Sequence, residues 1–418
     1  MMRVSVIHPE IANHIKRRSG INSLLEAVSL ANALEVEIVH SVVVPLRKPN
    51  AATLFGSGKL EELKQIFMAE DIGLVMIDGS LTPVQQRNLE KAWNLKVLDR
   101  TGLILEIFGD RAQTREGVLQ VDLAALNYQR SRLVRSWTHL ERQRGGLSFV
   151  GGAGETQIES DRRQIDDAIV RLKKQLEKVA KTRGLHRAAR KKIPYPIVAL
   201  VGYTNAGKST LFNRMTGADV FAKDMLFATL DPTMREVELP SGQKIILSDT
   251  VGFISELPTQ LVAAFRATLE EVLDANLILH VRDISHEETQ AQADDVKDIL
   301  KDLNITNQAQ TDMIEVWNKT DLLSNNDWVG TENTSKRRDK IQAVSALTGY
   351  GLDNLLAEIE ICLKEVTIND IVTLAFSEGS RRAWLYKQAV VNSEKTNSNT
   401  LELSVTWTTK QAAQFLKI

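Results

Sequence analysis

One segment constrains this chain of 418 residues more than any other. Gly202-Tyr203-Thr204-Asn205-Ala206-Gly207-Lys208-Ser209 is a complete G-x-x-x-x-G-K-[ST] pattern. An apolar run, Ile197-Val198-Ala199-Leu200-Val201, precedes it, and a helical pattern, Thr210 to Met215, follows it. Strand, glycine-rich loop and helix in that order make a phosphate cradle. The glycines let the backbone curl until its N–H groups and the N-terminus of the next helix face an anion. In such a loop Lys208 puts its ammonium on β- and γ-phosphate oxygens, and the Ser209 hydroxyl ligates Mg2+.

Three further segments predict which nucleotide is bound. Asp249-Thr250-Val251-Gly252 follows the strand pattern Ile245-Ile246-Leu247. Asp249 can hold Mg2+ through water, and the Gly252 N–H can sense the γ-phosphate. Asn318-Lys319-Thr320-Asp321 ends the strand pattern Met313 to Trp317. A carboxylate at Asp321 accepts from guanine N1–H and from its exocyclic amine. Adenine offers no such pair of donors, and a buried carboxylate left unpaired is costly. Ser345-Ala346-Leu347 follows a third strand, where backbone N–H groups reach guanine O6. Order and spacing together predict guanine. The loop Phe227-Ala228-Thr229-Leu230-Asp231-Pro232-Thr233 lies between the first helix and the strand pattern Arg235 to Leu239. Both Thr229 and Thr233 can supply a second Mg2+ hydroxyl, and spacing does not choose between them. Such loops order with GTP and relax after hydrolysis. Many small GTPases place a glutamine just after Asp-x-x-Gly to orient the attacking water. Here that position is Phe253, which has no hydrogen-bonding side-chain group, so the expected intrinsic hydrolysis is slow.

The rest of the chain reads as an α/β multidomain protein: a P-loop domain at 193–366, preceded by a small α/β domain at 1–110 and a basic antiparallel helical hairpin at 111–192, and followed by a small α+β domain at 367–418. In the first segment, strand patterns at Val4–Ile7, Val36–Val44 and Leu74–Ile77 alternate with helical ones at Ser23–Leu34, Lys59–Ala69 and from Pro83. Gly56-Ser57-Gly58-Lys59 imitates part of a phosphate loop without its spacing or its Ser/Thr. The hairpin is expected from two heptad-like series, Leu119, Leu123, Leu126, Leu133, Trp137, Leu140 and Ile158, Ile165, Ile169, Leu172, Leu176, Val179. Their seams should face each other and leave the arginines and lysines outside. Between them Gly145 to Gly154 holds five glycines. The tail suggests two strands, around Ala383–Val391 and Leu401–Trp407, and a short helix.

Charge sharpens the reading of the hairpin. The chain carries a net −1, yet Arg111 to Lys192 contains 19 Lys+Arg against 9 Asp+Glu, a local +10, which leaves −11 for the remainder. One concentrated basic segment on an acidic protein points to a polyanionic partner there rather than to a merely solvated helix surface, and its glycine-rich tip is either a long turn or an element that enters a nucleic-acid crevice. The seven histidines have no metal-ligand spacing, which argues against a zinc enzyme. Cys362, the single cysteine, forms no internal disulfide. Met1 to Gly20 shows no apolar signal core, and no apolar run is long enough for a spanning helix, so the expected location is cytoplasmic. A basic hairpin could also bind anionic lipid at a membrane surface, although the heptad seam uses its apolar residues. No self-association surface stands out, and a monomer is expected.

The residues resemble one family closely: HflX, a translational GTPase of the Obg–HflX group. The string Gly202 to Asn213, the loop Phe227 to Thr233 and Asp249-Thr-Val-Gly-Phe-Ile254 look like its signature. Gly154-Glu155-Thr156-Gln157-Ile158-Glu159 with Asp161-Arg162-Arg163 matches its mark at the start of the second hairpin helix. The resemblance implies a ribosome-binding GTPase that engages the large subunit and its rRNA and splits ribosomes, notably under heat stress. It assigns the second Mg2+ ligand to Thr229, and it suggests ATPase or RNA-remodelling activity in the N-terminal part. Asn205 resembles the asparagines that hold K+ in related GTPases, where the ion stands in for an arginine finger; its alternative role is to shape the loop. The implied catalytic set is Lys208, Thr229 and Gly252, with Asn205 acting through K+. The chain departs from its relatives at the hairpin tip, which lacks their arginine and proline, at Thr259, where histidine is frequent, and at Met234, where threonine is.

Overall fold

A computed structural model describes residues 1–12, 18–141, 157–190, 195–218, 226–227, 233–255, 272–273, 275–303, 312–364, 367–388, 390–397 and 400–416. The described residues form two units, Met1–Leu356 and Ala357–Ile418. The first unit opens with the expected alternation: β1 (Arg3–Ile11), α1 (Gly20–Asn32), β2 (Glu37–Leu46), α2 (Ser57–Ala69), β3 (Leu74–Ile77), α3 (Pro83–Trp93), β4 (Lys96–Asp99) and α4 (Arg100–Arg111). The strands are all parallel in the order β2-β1-β3-β4. Val4, Ser5, Val6 and Ile7 of β1 are all buried, as a parallel sheet covered on both faces requires. Helix starts follow local chemistry. Thr82 and Gln85 close a capping box around Pro83, and the Ser19 hydroxyl accepts from the Asn22 N–H at 3.1 Å. The Gly56–Lys59 segment only begins α2, with Lys59 paired to Glu62 at 2.6 Å.

Helices α5 (Arg115–Glu141) and α6 (Gln157–Arg190) pack against each other. Arg130 and Asp166 form a 3.2 Å ion pair across them, and Leu119 and Ile169 are buried. Helix α5 carries a second stripe that the heptad reading did not anticipate. Val121 and Ala124 are buried in the N-terminal core, with Ala125 and Tyr128 packed against it. That spacing lays one face of α5 on the first sheet's helical layer. Arg132 is therefore not outside: it stacks over the Tyr128 ring at 4.1 Å and donates to Asp99 and to Gln86. Asp99, which caps α4, also accepts from the Tyr128 hydroxyl at 2.6 Å. The glycine-rich tip, 145–154, lies outside the described residues.

The second sheet is built from β5 (Ile197–Gly202), β6 (Thr233–Glu238), β7 (Lys244–Asp249), β8 (Leu277–Asp283), β9 (Ile314–Asn318) and β10 (Ile341–Ala343), in the order β10-β9-β8-β5-β7-β6. All neighbours are parallel except β6 and β7. Helix α7 (Lys208–Thr216) follows β5. One continuous core joins the two sheets' surroundings, from Val4, Ile104 and Phe108 to Val201, Phe227 and Phe253.

The second unit holds a three-stranded antiparallel sheet in the order β11-β13-β12, from β11 (Thr367–Ala375), β12 (Val391–Thr396) and β13 (Thr400–Thr408). The expected strand at Leu401–Trp407 is there, with Leu401, Leu403, Val405 and Trp407 buried in strict alternation. The expected strand at Ala383–Val391 is not. Residues 379–387 are helical, because Leu385 is buried and Trp384 stacks on Phe415 at 5.8 Å, a helical rather than alternating use of neighbouring apolar residues. The strand Thr367–Ala375 was missed because its isoleucines do not alternate cleanly; Ile371 faces solvent. Among the described residues, no helix is long and apolar enough to cross a membrane.

Candidate nucleotide site

The carboxyl ends of β5, β7 and β9 and the segment after β10 line one edge of the second sheet, the edge at which parallel α/β sheets take ligands. Antiparallel pairing brings Thr233 opposite Asp249 at the same edge. Space imposes glycine at two points of the loop. A Cβ on Gly202 would lie 2.2 Å from the Val281 carbonyl oxygen of the neighbouring strand. Gly207 has φ +89, and its Cβ would lie 2.2 Å from Asn318 Nδ2.

Asn318 is the clip of the site. Its buried amide donates to the Ala206 carbonyl at 2.9 Å and accepts from the Ala346 N–H at 2.9 Å. Three of the four expected motifs are thereby joined through one side chain. Beside it Thr320 donates its hydroxyl to the Val344 carbonyl at 3.0 Å, and Lys319, at φ +65, pairs with Asp283 at 2.9 Å. The buried Ser345 hydroxyl donates to Asp321 Oδ1 at 2.5 Å, orienting an otherwise exposed carboxylate. Leu347 is 71% exposed beside it. Asp321 and Leu347 thus present an acceptor and an apolar surface suited to the edge and face of a purine.

At the other end of the loop, Ser209 donates to Asp249 Oδ2 at 2.6 Å. Two hard oxygen donors at the foot of α7 are the ligand type that Mg2+ takes, so these residues fit that ion. Lys208 is buried and donates to the Gly202 and Tyr203 carbonyls at 3.1 and 2.9 Å. Burial pushes its pKa down to about 8, against the attraction of Asp249. Gly252 lies close above the lysine: a Cβ there would be 3.0 Å from Lys208 Nζ. Buried Thr250 donates to the Leu200 carbonyl at 2.6 Å, and Val251 is buried beside it. The phosphate loop and the Asp-Thr-Val-Gly segment are clipped by backbone bonds, Thr204 N–H to the Phe253 carbonyl at 2.7 Å and Phe253 N–H to the Gly202 carbonyl at 3.1 Å. Ala206 is buried, and Asn205 is exposed at φ +59, a backbone that asparagine tolerates.

The structure thus brings together the residues expected from 202–209, 249–252, 318–321 and 345–347. Phe227 is buried with its ring edge-on to Phe108 at 4.6 Å. Ala228, Thr229, Leu230 and Asp231 lie outside the described residues, and with them the second hydroxyl expected on Mg2+. Thr204, expected in the loop, has its hydroxyl buried with no hydrogen-bond partner among the described residues. Sequence reading missed Ser255, whose hydroxyl, like that of Tyr203, meets Glu26, a residue that no local spacing links to either of them.

Comparison with known proteins finds matches along the length of the chain. Family models match residues 22–109 (GTP-binding GTPase N-terminal), 111–190 (GTP-binding GTPase middle region), 197–319 (50S ribosome-binding GTPase) and 331–417 (HflX C-terminal domain). The chain is similar to the GTPase HflX of Magnetococcus marinus, at 51% identity over 88% of this chain and 83% of that one. It is 40% identical to the GTPase HflX of Escherichia coli over 90% of this chain and 87% of that one. A GDP complex of a GTP-binding protein from Sulfolobus solfataricus matches 87% of this chain and 98% of its own, at 23% identity and a TM-score of 0.46. On the strength of the Magnetococcus and Escherichia relatives and of the match to the HflX C-terminal domain, in a chain whose phosphate loop, Asp249 and Asn318 meet at one sheet edge, the chain belongs to the HflX family of GTPases.

Proposed function

We propose that this GTPase works on the ribosome: the chain binds the large subunit and its rRNA through the basic hairpin of 111–192, uses the domain at 193–366 as its GTP switch, and separates ribosomal subunits under heat stress. What carries the nucleotide half of this reading is the meeting of Asp249, Gly252 and Asn318 with the loop that carries Lys208, while Asp321 is held by Ser345 in the segment that Asn318 also bonds. A local +10 in the hairpin segment supports the rRNA half. The family model that matches residues 197–319, described as a 50S ribosome-binding GTPase, points the same way.

In this reading Asp321 and the Ser345–Leu347 segment select guanine, and the 202–209 loop wraps the phosphates. Lys208 exchanges two backbone carbonyls for phosphate oxygens, whose negative charge favours its ammonium form. Ser209, Thr229 and, through water, Asp249 would hold Mg2+, which when bound would supply positive charge against the phosphates. The Gly252 N–H meets the γ-phosphate and orders the segment after it. No side chain at Phe253 places the attacking water, so ribosome docking completes the arrangement by ordering the 227–233 and 249–255 segments. Binding energy separates the subunits, and hydrolysis releases the factor.

The test is steady-state GTP hydrolysis with and without purified large subunits, with Lys208→Ala as the blank. Subunits should raise the turnover number by roughly tenfold or more. An unchanged rate removes the ribosome as activator. Exposed Asn205 supports a second expectation, that K+ completes the catalytic site. Rates in KCl should exceed those in NaCl by roughly an order of magnitude, and equal rates would leave Asn205 as a loop-shaping residue only.

A further inference from the structure

At the carboxyl ends of β1, β3 and β4, charged residues of the first sheet's layer meet two residues from the GTPase domain. The Tyr203 hydroxyl donates to Glu26 Oε2 at 2.5 Å and accepts from Arg18 at 2.8 Å and from the Ser255 N–H at 2.8 Å. The Ser255 hydroxyl donates to Glu26 Oε1 at 3.0 Å. Arg100 ties the set together: one guanidinium nitrogen donates to Asp78 at 2.5 Å, and the other reaches Glu26 at 2.5 Å and both the carbonyl and the hydroxyl of Ser255 at 3.0 Å. Arg18 also bonds Asp295 at 2.7 Å, on the helix Thr289–Asp302, and lies over the Tyr203 ring at 4.8 Å.

These charges are nearly removed from water, and their partners decide their state. Burial opposes the charge on Arg100, but Asp78 and Glu26 outweigh it and its pKa is raised. Burial alone would raise the pKa of Glu26, yet Arg100 and Arg18 hold it below the usual carboxylate value. Buried ionic networks of this kind tolerate little displacement, because a half-broken one leaves a desolvated charge without a partner. Their two contact points fall on the two segments that meet the phosphates in the proposed reading. Tyr203 lies inside the phosphate loop, and Ser255 lies just beyond Gly252. Phe108 against Phe227 adds a third tie, to the first residue of the other nucleotide-responsive loop.

We infer that Glu26 and Arg100 of the N-terminal α/β segment are positioning residues for GTP hydrolysis, holding the Gly252–Ser255 segment and the phosphate loop in register through Ser255 and the Tyr203 hydroxyl. The inference rests on the reading of Gly252 as the γ-phosphate contact. By linkage the effect is reciprocal: whatever displaces the N-terminal segment lowers the affinity for GTP relative to GDP, and the γ-phosphate of GTP changes the set of the N-terminal segment.

The experiment measures kcat for GTP hydrolysis and GDP affinity in the full chain for wild type, Glu26→Gln, Ser255→Ala and the double variant, with thermal melts alongside. Glu26→Gln should lower kcat about fivefold or more while GDP affinity stays within about twofold. Ser255→Ala, which leaves the arginines paired with their carboxylates, should act in the same direction. The double variant should lose less than the product of the two single effects. A wild-type kcat in Ser255→Ala, a parallel fall of kcat and GDP affinity in Glu26→Gln, or multiplicative losses would each overturn the inference. If Glu26→Gln does not fold, Ser255→Ala alone decides by the same criteria. GTP hydrolysis that survives Lys208→Ala would instead overturn the site reading on which the inference rests, so the two failures are told apart.

Discussion

Replacing Lys208 by alanine is expected to lower the rate of GTP hydrolysis by roughly 10²- to 10³-fold, the scale on which enzymes lose rate when one preorganised charge or donor at the reacting group is removed. The fold should survive, because Lys208 satisfies only the Gly202 and Tyr203 carbonyls, and a truncated side chain leaves room for water at both. Its pH dependence carries a second signature. With a pKa of about 8, the ammonium is charged below that pH and ready for phosphate, so GDP affinity should fall as pH rises above 8. Stability measured without added nucleotide should move the other way. Between about 8 and the ordinary lysine value of 10.5, the unfolded chain holds the proton that the folded chain gives up, so the contribution of this group to stability rises with pH. Nucleotide titrations and melts across that window, in wild type and Lys208→Ala, check both signs. A variant that keeps the same slopes would remove Lys208 as their source.

Asp321→Asn should move base preference from guanine to xanthine. The carboxylate accepts from two guanine donors, whereas an asparagine amide places a donor where the guanine amine also donates. Affinity for GTP should drop by roughly 10²-fold, about the cost of leaving such groups unpaired, and XTP should become the better competitor. The variant should fold normally, because Asp321 is exposed and its bond from Ser345 can be made to an amide oxygen. Competition of GTP, XTP and ATP for a fluorescent nucleotide reads the result. An unchanged order of affinities would mean that another group reads the base.

Much of the GTPase domain was legible because its chemistry is local. A phosphate loop is made by consecutive residues, and the strands carrying Gly202, Asp249 and Asn318 are continuous apolar runs whose ends the motifs mark. The N-terminal alternation was equally plain, since buried parallel strands leave the same signature. Reading failed where one stretch serves two neighbours. Helix α5 was read as half of a hairpin, yet Val121, Ala124 and Tyr128 also dock it on the first sheet and draw Arg132 inward. In the tail, Trp384 and Leu385 pack as a helix does, and nothing local distinguishes that from a short strand.

Local covalent order was therefore enough to specify the family, the nucleotide chemistry and the α/β class, because backbone curl and strand burial depend on residues adjacent in the chain and the base-reading groups sit in short consecutive motifs. Folding alone decided that Asn318 would lock the phosphate loop to the segment after β10, and that Glu26 would meet Ser255 across 229 positions of chain. Such contacts are set by the stacking of two sheets around a shared core and by the need to pair every charge taken out of water. Neither condition leaves a periodic mark in the sequence.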